Sequence, residues 1–311
     1  MSEYVFERLS SKNLNDLLFL YKHAFNEIET LEFLKKKYDT TFTGVDHVGF
    51  LAYHSETKEP AAYYGVFPSK LTYQGKDLIA AQSGDTMTHP NHRGKGLFIT
   101  LAKMTYDLAT SLGIEFIYGF PNDNSYPGFV KKLDWKHYSN VNHYKIKASS
   151  IPFDKLAKKF KWFKPIHQLL LPKEELETGK QFSNSITAQN KDSGGVKHDS
   201  DFYRYKCYYP SFIIEVEGVK CWVKVDGRLW VGDIEFCDEA KFNAVVDGLI
   251  QYAKKKFCAS VQFSFFEKSS YDHYISKRFG KHSSIAVGCL NLNGHFDPDK
   301  FAYQAGDFDT F

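Results

Sequence analysis

Cysteine is scarce and badly placed for pairing. The 311-residue chain has five, Cys207, Cys221, Cys237, Cys258 and Cys289, all in its second half and with no C-x-x-C pair. That argues against a disulfide framework and against ordinary zinc-finger spacing, and predicts reduced, mostly buried thiols; no metal is expected. Long apolar runs are missing too: no stretch of 18 apolar residues occurs, so no membrane span is predicted. Met1–Leu9 lacks a basic segment followed by an apolar one, so no secretory leader is read and the cytoplasm is the expected compartment. Charge of one sign is also lacking. The net charge is +3, with no basic stripe, which excludes nucleic acid as an expected partner and suits a small anionic ligand.

Aromatic residues are abundant, with 28 Phe and 20 Tyr, enough for large cores and for lining a pocket around a ring-shaped ligand. The length predicts two packed units. Apolar spacing predicts helices over 14–25, 31–38, 96–113 and 125–133, and strands over 47–54, 61–68, 78–88, 114–120 and 137–147, with a hairpin turn at 73–76. Residues 151–180 read as a basic, helical connector and 183–200 as a polar loop. The same outline then returns: strands at 212–216, 220–225 and 229–236, a helix at 240–257, a strand at 260–265, a short helix at 269–278 and a strand at 284–292. Two local matches point to duplication. Ser125-Tyr126-x-x-Phe129-Val130-x-Lys132 returns as Ser270-Tyr271-x-x-Tyr274-Ile275-x-Lys277, and Phe33-x-Lys35-x-Lys37 as Phe202-x-Arg204-x-Lys206. The expected division is 1–150, a linker over 151–200, and 201–311.

The sharpest motif is Thr88-His89-Pro90-Asn91-His92-Arg93-Gly94-Lys95-Gly96-Leu97-Phe98. A strand ends at Thr88, Pro90 stops ladder pairing, and a helix opens near Gly96. Two glycines allow positive φ and close approach of a ligand. The free N–H groups and dipole of a helix N-terminus favour an anion, and Arg93 and Lys95 add positive charge. The pattern lacks both the G-K-[ST] ending of a nucleoside-triphosphate loop and the G-x-G-x-x-G spacing of a dinucleotide fold.

At these residues the chain resembles the GNAT acyltransferase superfamily, whose R/Q-x-x-G-x-G/A motif is matched by Arg93-x-x-Gly96-x-Phe98 after Thr88-x-Pro90. Phe98 stands where Gly or Ala is usual, and Val130 where many members carry a Tyr. The resemblance implies an α/β (α+β) fold with a mixed, mostly antiparallel sheet flanked by helices. The second half resembles a degenerate copy without the phosphate cradle, as in tandem members. It implies acyl-CoA as co-substrate, an acetyl or short hydroxyacyl thioester, and no metal. Met87, Thr88 and His89 would offer main-chain groups to the pantetheine arm. Arg93, Gly94, Lys95, Gly96, Leu97 and Phe98 would hold the pyrophosphate, with Asn122 and Asn124 binding the arm from the next strand.

The implied chemistry is attack of a neutral amine on a thioester. A lysine-like ammonium costs about 4.6 kcal/mol to deprotonate at pH 7, and one with a pKa near 8 only about 1.4 kcal/mol. Asp85 is the candidate to act as base or to orient the acceptor, although strand alternation puts it off the face of Gln82, Gly84, Thr86 and Thr88 unless a bulge intervenes. His89 and His92 are alternatives. Tyr126 is the candidate to protonate the departing thiolate, and Arg204 and Lys206 to meet an acceptor phosphate. The favoured acceptor is the amine of a nucleotide-linked (dTDP-type) amino sugar, as in tandem members of surface-polysaccharide pathways. Alternatives are an aminoglycoside, peptide or protein amine, or a non-catalytic acyl-CoA-binding module. The protein is expected to be a monomer or homodimer.

Overall fold

The computed structural model describes residues 3–148, 194–293 and 300–311, together with positions 156, 159, 160, 162 and 297. Most of the basic connector and of the polar loop expected over 151–200 lies outside the described residues. Two compact units emerge. The first comprises Met1–Thr72, Lys76–Tyr138 and Ala286–Asp299; the second comprises Tyr73–Gly75, Ser139–Ile285 and Lys300–Phe311.

In the first unit, β1 (Tyr4–Arg8) pairs antiparallel with β2 (Val48–His54), and β2 with β3 (Pro60–Tyr73). Next in the sheet is β4 (Lys76–Thr88), which pairs parallel with β5 (Phe116–Gly119). The β3–β4 turn holds Gln74 at φ 49° and Gly75 at φ 74°, the left-handed pair that suits a tight hairpin. Helices α1 (Leu14–Leu20) and α2 (Leu31–Lys37) precede β2, while α3 (Leu97–Ser111) and α4 (Tyr126–Lys132) flank β5 in sequence. Strand β1 carries no clear alternation because only Tyr4 is buried, as an edge strand allows, and sequence periodicity misses it. The helix expected over 14–25 ends at Leu20 and continues as a π turn over Tyr21–Phe25, closed by Asn26 at φ 57°.

Alternation along the strands builds two cores. Ala52, Tyr64, Val66 and Ala81 pack with Leu97, Leu101, Phe129 and Trp135. Leu51, Tyr63, Phe67 and Met87 pack with Leu17, Tyr21, Leu34 and Tyr38. The sheet thus has an α3 face and an α1/α2 face.

The second unit repeats the order of elements. Helix α5 (Ser200–Lys206) is followed by β8 (Ser211–Val216), β9 (Val219–Val225) and β10 (Leu229–Ile234), then α6 (Glu239–Lys255), β11 (Ser260–Phe266), α7 (Ser270–Ser276) and β12 (Ser283–Asn291); a short β7 (Gly194–Val196) precedes them. Strands β8, β9 and β10 are antiparallel neighbours, and β10 pairs parallel with β11, as β4 does with β5. The closing strands are exchanged. The strand after α4, β6 (Lys136–Lys147), pairs with β11, whereas β12 pairs with β5. A division at residue 150 therefore cuts across both units, because backbone pairing assigns 139–147 to one and 286–291 to the other.

The local repeats hold in three dimensions. Lys37 and Lys206 are both buried, each with its ammonium 6.0 Å from the ring of Phe33 or Phe202. Lys206 donates to the Phe308 carbonyl and Arg204 pairs with Asp201, so the expected meeting with an acceptor phosphate is replaced by internal bonding. Helix α6 opens on Asp238, whose carboxylate accepts from the Lys241 N–H. A carboxylate in that position repels an anion, and the second unit has no phosphate cradle there.

Candidate active site

The loop from β4 to α3 has the shape the motif requires. Gly94 and Gly96 sit at φ 77° and 76°, conformations costly for any residue with a Cβ, and space is open where a Cβ would stand at either. Gly96 caps α3 without a side-chain hydrogen bond. The N–H groups of Ile99 and Thr100 return to the Gly96 carbonyl. Among the described residues, the N–H groups of Gly94, Lys95, Gly96, Leu97 and Phe98 have no acceptor. Five free donors at the positive end of a 15-residue helix form an anion cradle. Arg93 is exposed, its guanidinium with no hydrogen-bond or ion-pair partner among the described residues, and Lys95 lies 3.2 Å from Glu3. Leu97 is buried. Phe98 turns its ring inward, 5.1 Å from Phe129 and 5.9 Å from Tyr64. It fits there because Gly128 has no side chain: a Cβ at 128 would lie 2.8 Å from the Phe98 ring. The departure at Phe98 thus leaves the main-chain donors exposed.

Beside the cradle, β4 outruns its neighbour. Pairing with β5 covers only Ala81–Ser83, and β5 ends at Gly119, shortly before Pro121 removes a donor. His89 is engaged in both directions, its N–H on the Ala61 carbonyl and its carbonyl on the His92 N–H. By strand alternation Met87 also turns its main chain toward β3, so Thr86 and Thr88 face the open side. The Met87 side chain is buried in the α1/α2 core.

Asp85 lies in this splayed segment at φ 51°, a left-handed non-glycine residue and the centre of a bulge. Ser83 hydrogen-bonds the Tyr64 hydroxyl at 2.9 Å on the α3 face, and the chain runs on through Tyr106 to Trp135. Asp85 points to the α1/α2 face. There its Oδ1 accepts from Lys37 at 2.8 Å, and its Oδ2 from Tyr38 at 2.8 Å and from Tyr21. Lys37 and Asp85 are 2% and 8% exposed, so the ion pair is buried. Burial and the Asp85 charge push the Tyr38 hydroxyl well above the ordinary tyrosine range, keeping it a neutral donor. The sequence marks Phe33, Lys35 and Lys37 as part of a repeat but does not identify Lys37, Tyr21 and Tyr38 as partners of Asp85. Glu29, just before α2, was missed entirely. It is half-buried, has no hydrogen-bond partner among the described residues, and is raised from the usual carboxylate range by burial, with the charges of Glu27 and Asp85 adding.

Asn122 and Asn124 are exposed after β5. The Asn122 Oδ1 accepts from the N–H groups of Asn124 and Ser125, shaping the turn into α4 and leaving its amide NH₂ to donate outward. Tyr126 is half-buried, edge-on to His137, and its hydroxyl has no partner among the described residues. Its counterpart Tyr271 is buried, donating to the Glu235 carbonyl and accepting from the Cys237 N–H, which is a packing role.

Residues 6–138 match the family model described as an acetyltransferase (GNAT) domain. No curated protein sequence matches the chain significantly. Among solved structures, N-myristoyltransferase of Saccharomyces cerevisiae with bound myristoyl-CoA and inhibitors is similar at a TM-score of 0.62 and 11% identity, over 98% of this chain and 86% of that one. A conserved protein of Enterococcus faecalis V583 is similar at 0.61 and 13%, over 94% and 73%. A GCN5-related N-acetyltransferase of Kribbella flavida is similar at 0.57 and 10%, over 93% and 71%. At such identities these structures speak to the fold alone. No helix among the described residues is long and apolar enough to cross a membrane. Cradle, splayed strand and family match agree on residues 6–138, the stretch that matches the acetyltransferase (GNAT) domain.

Proposed function

We propose that the protein transfers an acyl group from acyl-CoA to an amine, by direct attack, on the first unit. The observation that carries this reading is the pair of left-handed glycines followed by five free amides at the start of α3. The amides of 94–98 and Arg93 hold the pyrophosphate. Thr86 and Thr88, on the open side of β4, receive the arm, with Asn122 and Asn124 opposite. The thioester supplies the acyl carbon. A strand N–H in the splayed segment stabilises charge on its oxygen.

Asp85 is poorly placed as a proton acceptor, because both its oxygens are engaged and it is buried. Its role is to anchor the bulge that opens the strand. Glu29, uncommitted and raised toward neutrality, takes the proton from the acceptor ammonium. Attack then forms the C–N bond as the C–S bond breaks, and the nitrogen loses its second proton to solvent water. Tyr126 donates its proton to the departing sulfur and recovers one from solvent.

For the acceptor we favour a nucleotide-linked amino sugar, supported by the lowered basicity of such an amine and by the aromatic α1/α2 face. A peptide or protein amine is the second reading. Thioester consumption with a panel of amines tests these readings. Turnover with nucleotide amino sugars supports the first, and turnover only with peptides supports the second. Tight coenzyme A binding with no turnover on any amine would reduce the protein to an acyl-CoA-binding module.

A further inference from the structure

Three ligating groups converge beside the cradle: Glu59, His89 and His92 each offer one atom, and the three lie within 4.8 Å of one another. Both imidazole nitrogens are 3.7 Å from the Glu59 oxygen. Tyr4 donates its hydroxyl proton to Glu3 at 3.3 Å and meets His92 Nδ1 at 3.0 Å, so Nε2 is the His92 nitrogen turned to Glu59. His89 Nδ1 accepts from the Asn91 N–H at 3.3 Å, a bond that an entering ion would displace. Two imidazole nitrogens therefore converge on one carboxylate oxygen.

We propose that Glu59, His89 and His92 bind a divalent transition-metal ion, with Zn²⁺ as the best match. Ligands about 2.1 Å from zinc stand roughly 3.4–3.6 Å apart, close to the spacing already present. Two imidazoles and one carboxylate are the donor set of a borderline ion and a poor one for Mg²⁺ or Ca²⁺. The Tyr4 bond to the distal nitrogen of His92 is the outer support that metal-bound histidines carry. Glu59 is 39% exposed and His92 13%, so an ion has a way in and a fourth position for water. Glu59 immediately precedes β3, and His89 and His92 bracket the turn that leads to Gly94. A bound ion therefore clamps the cradle loop to β3.

The test is calorimetric titration of the metal-free, full-length protein with ZnCl₂, repeated on Glu59→Gln and His92→Ala, with circular dichroism to confirm folding. One ion per chain is expected, with affinity lowered about tenfold or more in each variant and a comparable loss for Tyr4→Phe. His23→Gln and His54→Gln, neighbours that contribute no ligand atom, should bind as the unaltered protein does. Cobalt(II) absorption should show a four-coordinate site that Glu59→Gln abolishes. No binding near one equivalent, or unchanged affinity in folded Glu59→Gln and His92→Ala, overturns the proposal and leaves a proton on His92 as what joins these groups.

Discussion

Ser83 and Asp85 stand two residues apart on one strand, yet they face opposite sides of the sheet: Ser83 bonds Tyr64 on the α3 face, and Asp85 bonds Lys37 on the α1/α2 face. In an unbroken strand they would share a face. The left-handed φ of Asp85 supplies the reversal, and it falls where β4 leaves β5. The buried ion pair is therefore the anchor of the splay. Asp85→Ala would leave Lys37 charged and unpaired, and is expected to cost about 3–5 kcal/mol. Adding Lys37→Met should recover much of that loss, and urea unfolding of the three proteins checks it. Asp85→Asn should preserve the pH profile of kcat/KM, whereas Glu29→Gln should lower kcat by about 10²-fold or more and flatten the acidic limb. The reverse outcome would return the base to Asp85.

The cradle depends on backbone rather than side chain. Since space is open at Gly96, valine there would not clash with the protein but would strain the left-handed turn and intrude on the ligand's side. The expected cost is about 1–2 kcal/mol of stability together with a loss of coenzyme A affinity of at least about tenfold. Arg93→Ala should weaken binding with little effect on stability, because the Arg93 side chain makes no internal bond among the described residues. Calorimetric titration with coenzyme A, alongside thermal unfolding, separates the two effects. Gly128→Ala adds a subtler case. It should displace Phe98 and weaken coenzyme A binding, and Phe98→Ala in the same chain should restore it.

Most of the architecture was legible because local chemistry and tertiary context agree. Leu97, Leu101 and the glycines before them announce α3, and the Phe33–Lys37 and Phe202–Lys206 pairs announce a duplication that both buried lysines bear out. What was not legible is non-local. Nothing in the sequence around Tyr4–Arg8 marks an edge strand that buries only its first residue. The exchange of β6 and β12 leaves no trace in periodicity, since either strand would pattern alike in either sheet. The bulge at Asp85 was required by the argument for a catalytic carboxylate, but only the fold shows that Tyr21, Tyr38 and Lys37 already occupy that carboxylate.

Tyr126 and Tyr271 are matched in sequence and differ in use. Tyr271 is buried with its hydroxyl bonded on both sides; the hydroxyl of Tyr126 is free among the described residues. Tyr126→Phe should therefore lower kcat by about 10²-fold with KM for acyl-CoA nearly unchanged and no loss of stability. Tyr271→Phe should instead lower stability by about 1–3 kcal/mol, because it strands the Cys237 N–H in the core, while sparing kcat in the folded fraction. Steady-state kinetics with a chromogenic thiol trap and urea unfolding distinguish them. Equal kinetic effects would remove Tyr126 from the reaction.

The second unit carries its own titration. His198 lies between Asp233 and Asp307, 2.7 Å from each, all three fully enclosed. Burial alone would lower its pKa, but the hydrogen bonds and charges of the two carboxylates outweigh it and raise the imidazole to about 9. The unfolded chain titrates near 6.5. A group raised on folding contributes its full stabilisation below the unfolded value and loses it as pH rises through the folded one. Stability should hold below about pH 6.5 and decline toward pH 9, by on the order of 3 kcal/mol if the charged triad is intact. Urea midpoints measured across that range check the slope. His198→Gln should flatten it, since a neutral amide has nothing to titrate. A slope that survives the substitution would mean that other groups, and not this histidine between its two aspartates, govern the alkaline limit of the fold.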